Sequence, residues 1–104
     1  MTADFQITKE MGGEMLTVHI KGDLNVKTAP ILEDGLKNSI SGVKGLILDF
    51  ASVEYISSAG LRVLLAMEKA MQRQGGKMKL QHVNAAVKEI IRLAGFLQVM
   101  TIED

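Results

Sequence analysis

The chain has 104 residues, 47% apolar and 23% charged, a composition that fits one globular domain able to bury a core without metal or disulfide staples. It contains no cysteine, which excludes disulfides and thiolate metal sites and fits a reducing compartment. Twelve basic residues balance twelve acidic ones, and there are three phenylalanines, one tyrosine and no tryptophan, so the chain lacks both the phosphate-neutralising charge and the stacking platforms of a nucleic-acid binder.

At the N-terminus, Met1–Gln6 has no basic segment followed by an apolar run, so no signal peptide is read there. The apolar stretches Leu46–Leu48 and Val63–Met67 fall far short of the ~20 residues that span a bilayer, so no membrane insertion is expected. The expectation is one soluble, cytoplasmic domain over residues 1–104.

Two strands open the chain, Phe5–Met11 and Met15–Ile20. In the second, Leu16, Val18 and Ile20 alternate with Thr17 and His19, the period of a half-buried strand. Gly12-Gly13 between them supplies the positive φ of a tight turn, which predicts an antiparallel hairpin. Thr28 as a cap and Pro30 in the first turn predict a helix carrying Ile31, Leu32, Leu36 and Ile40, stopped by Gly42. Leu46-Ile47-Leu48 with Phe50 is a near-continuous apolar run, which predicts a strand covered on both faces.

Ser57-Ser58 precedes a long amphipathic helix bearing Leu61, Val63, Leu64, Leu65, Met67 and Met71 and closed by Gly75-Gly76. Met78, Leu80 and His82 alternate as a strand. Asn84 caps a third helix with Val87, Ile90, Ile91 and Ala94, followed by Gly95, and Val99–Ile102 reads as a last short strand. The fold class is therefore α/β in the order β-β-α-β-α-β-α-β: a mixed sheet with an N-terminal antiparallel hairpin, then parallel strands joined by right-handed crossovers.

Enzymatic chemistry finds little support, and no catalytic residue is assigned. His19 and His82 fall on different expected strands without a Cys, Asp or Glu at metal-ligand spacing, so each reads as structural or superficial and neither a metal nor a cofactor is expected. There is no G-x-S-x-G elbow, and the glycines form neither a P-loop nor a dinucleotide fingerprint. Seven methionines are a weak signal of an adaptable surface; Met67 and Met71, one helical turn apart, read as core fillers.

The segment Leu48–Leu61 is more informative, because it leads from a buried strand through a short loop into the first turn of a helix. By local physics alone, Ser57 or Ser58 is a helix cap worth ~1 kcal/mol. The same position also suits a kinase target. A phosphate on an exposed serine there adds roughly −1.5 to −2 charges where free amides and the helix dipole tolerate them. Small Ala59 and Gly60 beside it leave the backbone open to a partner.

Tyr55-Ile56-Ser57-Ser58-Ala59-Gly60-Leu61-Arg62-Val63-Leu64-Leu65 resembles the signature of the STAS domain family, and more closely that of the anti-sigma factor antagonists of bacterial partner-switching systems. Lys21-Gly22-Asp23-Leu24, Leu46–Phe50, Gly75-Gly76-Lys77 and Val87–Leu97 resemble further family segments in register, so the likeness spans essentially the whole chain. It implies that Ser58 is the phosphoacceptor, with Ser57 the minor alternative. Two positions depart from the family's frequent aspartates: Ser57 before the phosphoserine, and Asn25 after the Gly–acid–Leu turn.

The resemblance further implies an ATP-dependent anti-sigma factor/serine kinase and a PP2C-like phosphatase as partners. The contact surface it implies comprises Asp23, Asn25 and Thr28 from one loop with Ser57, Ser58, Ala59, Gly60, Leu61 and Arg62 from the other. The alternative is a constitutive STAS scaffold in a larger complex, in which the serine only caps a helix. A nucleotide-binding domain ranks third, since no phosphate-cradling loop supports it.

Overall fold

The computed structural model describes residues 5–103, so the expected domain limits at 1 and 104 lie outside the described residues. The element order is β1 (Gln6–Gly12), β2 (Met15–Lys21), α1 (Ala29–Lys37), β3 (Gly45–Ser52), α2 (Ser58–Arg73), β4 (Lys77–Gln81), α3 (Ala85–Leu93) and β5 (Thr101–Glu103), which matches the expected succession. One five-stranded sheet runs β1-β2-β3-β4-β5. Its first pair is antiparallel and the other three are parallel.

Strand order that follows chain order has a geometric consequence. The crossovers all step the same way across the sheet, and with the right-handed connection that parallel strands favour this puts all three helices on one side. Leu16, Val18 and Ile20, Leu46, Leu48 and Phe50, and Met78 and Leu80 point into that side. They form one core with Leu32 and Leu36 of α1, Leu64 and Met71 of α2, and Val87 and Ile91 of α3. The opposite face is left open. Thr17, His19, Ile47, Asp49, Lys79 and Gln81 on it are half-buried, and Met15 is 39% exposed. β3 is therefore covered on one face only, contrary to the reading of its apolar run.

Four boundaries differ from expectation, each for a local reason. The hairpin pairs Gly12 with Met15, so its turn is Gly13-Glu14. Gly13 has φ +62 while Glu14 stays at negative φ, the pattern of a type II′ turn. α1 stops at Lys37, and Ile40 reaches the core from a turn in which the N–H groups of Ser39 and Ile40 both bond Leu36 O. β5 begins only at Thr101, because Met100 plugs the core from a turn closed on Phe96 O. His82 lies beyond β4 with φ +58, the left-handed region that ends the strand.

Candidate functional site

Two connections meet at the carboxyl ends of β2 and β3, where ligands and partners of parallel sheets commonly bind. Gly22 N–H donates to Ser52 O at 3.0 Å, Leu24 N–H to Tyr55 O at 3.1 Å, and Ser57 N–H to Leu24 O at 2.8 Å. Leu24 and Ile56 form an isolated parallel bridge, and both side chains are fully buried. These bonds clamp the loop from Asp23 to Thr28 against the start of α2, so the two stretches expected to act together do lie side by side.

The approach to Ser58 is held by apolar plugs. Val53 (2% exposed) and Ile56 (0%) bury themselves on either side of Glu54 and Tyr55, which face solvent. Gly60 completes the packing. A Cβ there would come within 2.8 Å of Ile56 Cγ1 and 2.9 Å of Leu24 Cβ, closer than packed atoms allow. The glycine is thus required by the close approach of both loops to the first turn of α2.

Ser58 is exposed at the first residue of this 16-residue helix, where the first N–H groups lack intrahelical acceptors and the dipole favours negative charge. Ser57 occupies the N-cap with extended backbone (φ −98, ψ 177) but makes no side-chain capping bond. Its Oγ is buried and has no hydrogen-bond partner among the described residues. The capping role read for the serine pair is absent here.

The start of α1 is built differently. Thr28 does not cap that helix as its position suggests: its Oγ1 donates to Asp23 O (2.7 Å) and accepts from Asn25 N–H (2.8 Å). Asn25 Oδ1 accepts from Lys27 N–H (2.9 Å) and Thr28 N–H (3.1 Å). Asn25 and Thr28 form a reciprocal capping box that starts the helical turn before α1 proper, continued by Ala29 N–H to Asn25 O at 2.8 Å. Thr28 (4% exposed), Leu61 (5%) and Gly60 are buried and shape the site from beneath, whereas Asp23, Ser58 and Arg62 face solvent and Asn25, Ser57 and Ala59 are half-buried.

Beside Ser58 lies a shallow groove of about 250 Å³ between α1 and α2, floored by Ala29, Ala59, Val63 and Ala66 and flanked by Val26, Glu33 and Arg62. Val26 is 73% exposed at its mouth. A larger cavity of about 470 Å³ opens on the uncovered sheet face at the amino ends of the strands, over Met15, Gly45 and Ile47. Neither serine lines either cavity; the smaller groove comes nearer in the chain, reaching Ala59, the residue after Ser58.

A second cluster escaped sequence reasoning. His19 Nδ1 is 2.7 Å from Asp49 Oδ2, His82 Nδ1 is 2.8 Å from Asp49 Oδ1, and His19 Nε2 is 3.3 Å from Glu10 Oε2. The two histidines, read as isolated, share one carboxylate. The signal that could have found it is the register that sets His19 beside Asp49, which a single chain does not print. Among the described residues no group of three or more His, Cys, Asp or Glu side chains is arranged to hold a metal ion, and no helix is long and apolar enough to cross a membrane.

Residues 6–104 match the family model described as the STAS domain. The chain is 31% identical over 98 residues to BtrV of Bordetella bronchiseptica, a protein provisionally named an anti-sigma factor antagonist, covering 93% of this chain and 84% of that one. It is 26% identical to the anti-sigma-B factor antagonist of Bacillus subtilis over 87 residues, 84% of this chain and 80% of the relative. Its fold superposes on the anti-sigma factor antagonist SpoIIAA in unphosphorylated form with a TM-score of 0.80 at 17% identity, covering 96% of this chain and 88% of that one. The chain belongs to the STAS domain family, on the branch whose members are named anti-sigma factor antagonists.

Proposed function

We propose that this antagonist works as a phosphoserine switch: with Ser58 unmodified it binds an anti-sigma factor that is also a serine kinase, and phosphorylation of Ser58 releases it. The observation that carries the reading is the exposure of Ser58 at the start of α2, on a loop locked to the Asp23–Thr28 segment. The hydroxyl is displayed on a rigid base, so a kinase can reach it without unfolding the domain. The helix terminus tolerates the added charge, so the phosphorylated chain keeps its fold.

Release follows from desolvation and repulsion. A partner surface complementary to a neutral hydroxyl must bury a dianion once Ser58 is modified, and a hundredfold loss of affinity needs only ~2.8 kcal/mol. In this reading Asp23, Asn25, Ala59 and Arg62 are partner contacts together with Ser58, while buried Thr28, Gly60 and Leu61 support them from beneath. A PP2C-like phosphatase resets the switch. SpoIIAA, whose fold this chain shares, has been solved in a phosphorylated form as well, with a TM-score of 0.72 to this chain.

The test is reconstitution with the kinase captured from the host by the unmodified chain. The captured protein should phosphorylate wild-type chain in the presence of ATP and leave Ser58→Ala unlabelled. Ser58→Glu should bind it at least tenfold more weakly than wild type. Equal binding by wild type and Ser58→Glu, with no transfer of phosphate, would sink the reading in favour of a constitutive scaffold.

A further inference from the structure

The open sheet face carries a row of polar side chains that the switch does not use. In register across the five strands stand Thr8, His19, Asp49, Gln81 and Glu103. Asp49 is the hub. One carboxylate oxygen meets His19, the other meets His82 and also accepts Ala51 N–H at 3.0 Å. His82 is held at φ +58, a conformation that a side-chain-bearing residue adopts at a cost unless its surroundings fix it. Its bond to Asp49 supplies that fixing.

The turn that His82 opens leads directly to the loop below Ser58. Two residues on, Asn84 caps α3 by accepting Val87 N–H at 2.8 Å, and its Nδ2 donates to Val53 O at 3.0 Å. Val53 is the first plug of the segment that ends at Ser57. A chain of close polar contacts thus runs from Glu10 through His19, Asp49 and His82 to the turn, its first step an ion-pair contact at 3.3 Å and the next two hydrogen bonds, and from Asn84 a further bond reaches the β3–α2 loop. We propose that Glu10, His19, Asp49 and His82 form a proton-operated clasp that fastens the β4–α3 turn, and through Asn84 the loop before Ser58, most firmly at mildly acidic pH.

Hydrogen-bond chemistry sets the direction. A neutral His19 can donate Nδ1–H to Asp49, but its Nε2 lone pair then faces the Glu10 carboxylate. A protonated His19 donates to both, so the clasp closes fully only in that form. The bond to Asp49, then that to Glu10, accordingly raises the His19 pKa above 6.5. Burial pushes the Asp49 carboxyl up, but the bonds from Ala51, His82 and His19 outweigh it and the net direction is down. The other charged groups along the row are Lys79, paired with Glu103 at 3.1 Å, and Glu103 itself, which also accepts from Gln81 Nε2 at 2.6 Å.

The sign follows by linkage. A raised histidine contributes fully below its unfolded value and is lost as pH climbs through its folded one; a lowered aspartate contributes above its unfolded value and is lost as pH falls through its folded one. The clasp is therefore tightest from about pH 4 to about pH 6.5 and slackens toward alkaline pH. This inference does not depend on phosphorylation of Ser58.

The experiment is an NMR titration of the labelled full chain from pH 5 to 8.5. His19 should titrate with a midpoint above 6.5, and the Asn84 side-chain amide and the backbone amides of Val53 and Glu54 should shift with the same midpoint. Two variants assign the step. His19→Gln should abolish the component with that midpoint at Asn84, Val53 and Glu54. His82→Gly places a residue at home at φ +58, so the domain should stay folded while those same resonances become flat and His19 still titrates high. A His19 midpoint at or below 6.5, unresponsive Asn84 and Val53 resonances in wild type, or survival in either variant of the step at the His19 midpoint would overturn the proposal.

Discussion

At the start of α1, the side-chain oxygens of both Asn25 and Thr28 are used: Asn25 Oδ1 takes two backbone N–H groups, and Thr28 Oγ1 takes one and gives its proton to Asp23 O. At the adjacent start of α2, Ser57 Oγ is buried yet bonds to nothing among the described residues, and the helix begins without a side-chain cap. The third helix sides with the first, since Asn84 both caps it and ties Val53. Helix starts whose donors are satisfied internally are finished structures. The start of α2 is left with unused hydrogen-bonding capacity beside an exposed serine, an arrangement that suits an incoming phosphate or partner group better than it suits stability.

Substitutions at these helix starts can break or sharpen that contrast. The largest loss is expected from Gly60→Ala, because the new methyl would strike Ile56 and Leu24 at 2.8 and 2.9 Å. Overpacking of this kind costs about 1–3 kcal/mol, and it should also part the two loops. Urea denaturation would measure it; an unchanged midpoint would mean that the loops are not packed as described. Next comes Asn25→Ala, which removes the acceptor from two amides and should cost about 1–2 kcal/mol, whereas Asn25→Asp keeps the acceptor and should lie near wild type.

Asn84→Ala should cost about 1 kcal/mol as a lost cap and leave Val53 O without its donor, again read from denaturation midpoints. Smallest of all is Ser57→Ala, expected to stay within about 0.5 kcal/mol of wild type because no bond is lost. A cost of about 1 kcal/mol or more at Ser57 would show that its hydroxyl does cap α2 in solution, and the contrast between the starts of α1 and α2 would fall.

The succession of elements was legible because it rests on local chemistry: alternation in Leu16–Ile20, the Asn84 cap and the long apolar stripe of α2 each speak for themselves. What was not legible depended on neighbours distant in the chain. Leu46-Ile47-Leu48 reads as doubly covered, yet Ile47 faces the open side, which only the strand order explains. One miss was local instead: Thr28 looks like a cap until Asn25 is seen three residues earlier with the better geometry. At the site, the residue types around Ser58 were readable, but the bonds that join Leu24 to Tyr55 and Ser57 were not. The histidine clasp stayed hidden for the same reason, since His19, Asp49 and His82 are about thirty residues apart at each step.

The central claim is that Ser58, and not the buried hydroxyl of Ser57, is the group that is modified. Intact-mass and peptide mass spectrometry of the chain recovered from its own cells tests it directly, with Ser58→Ala carried in parallel. The account predicts a single added phosphate that maps to Ser58 and is missing from the variant. A phosphate confined to Ser57, or a chain that stays unmodified under every growth condition tried, would contradict it.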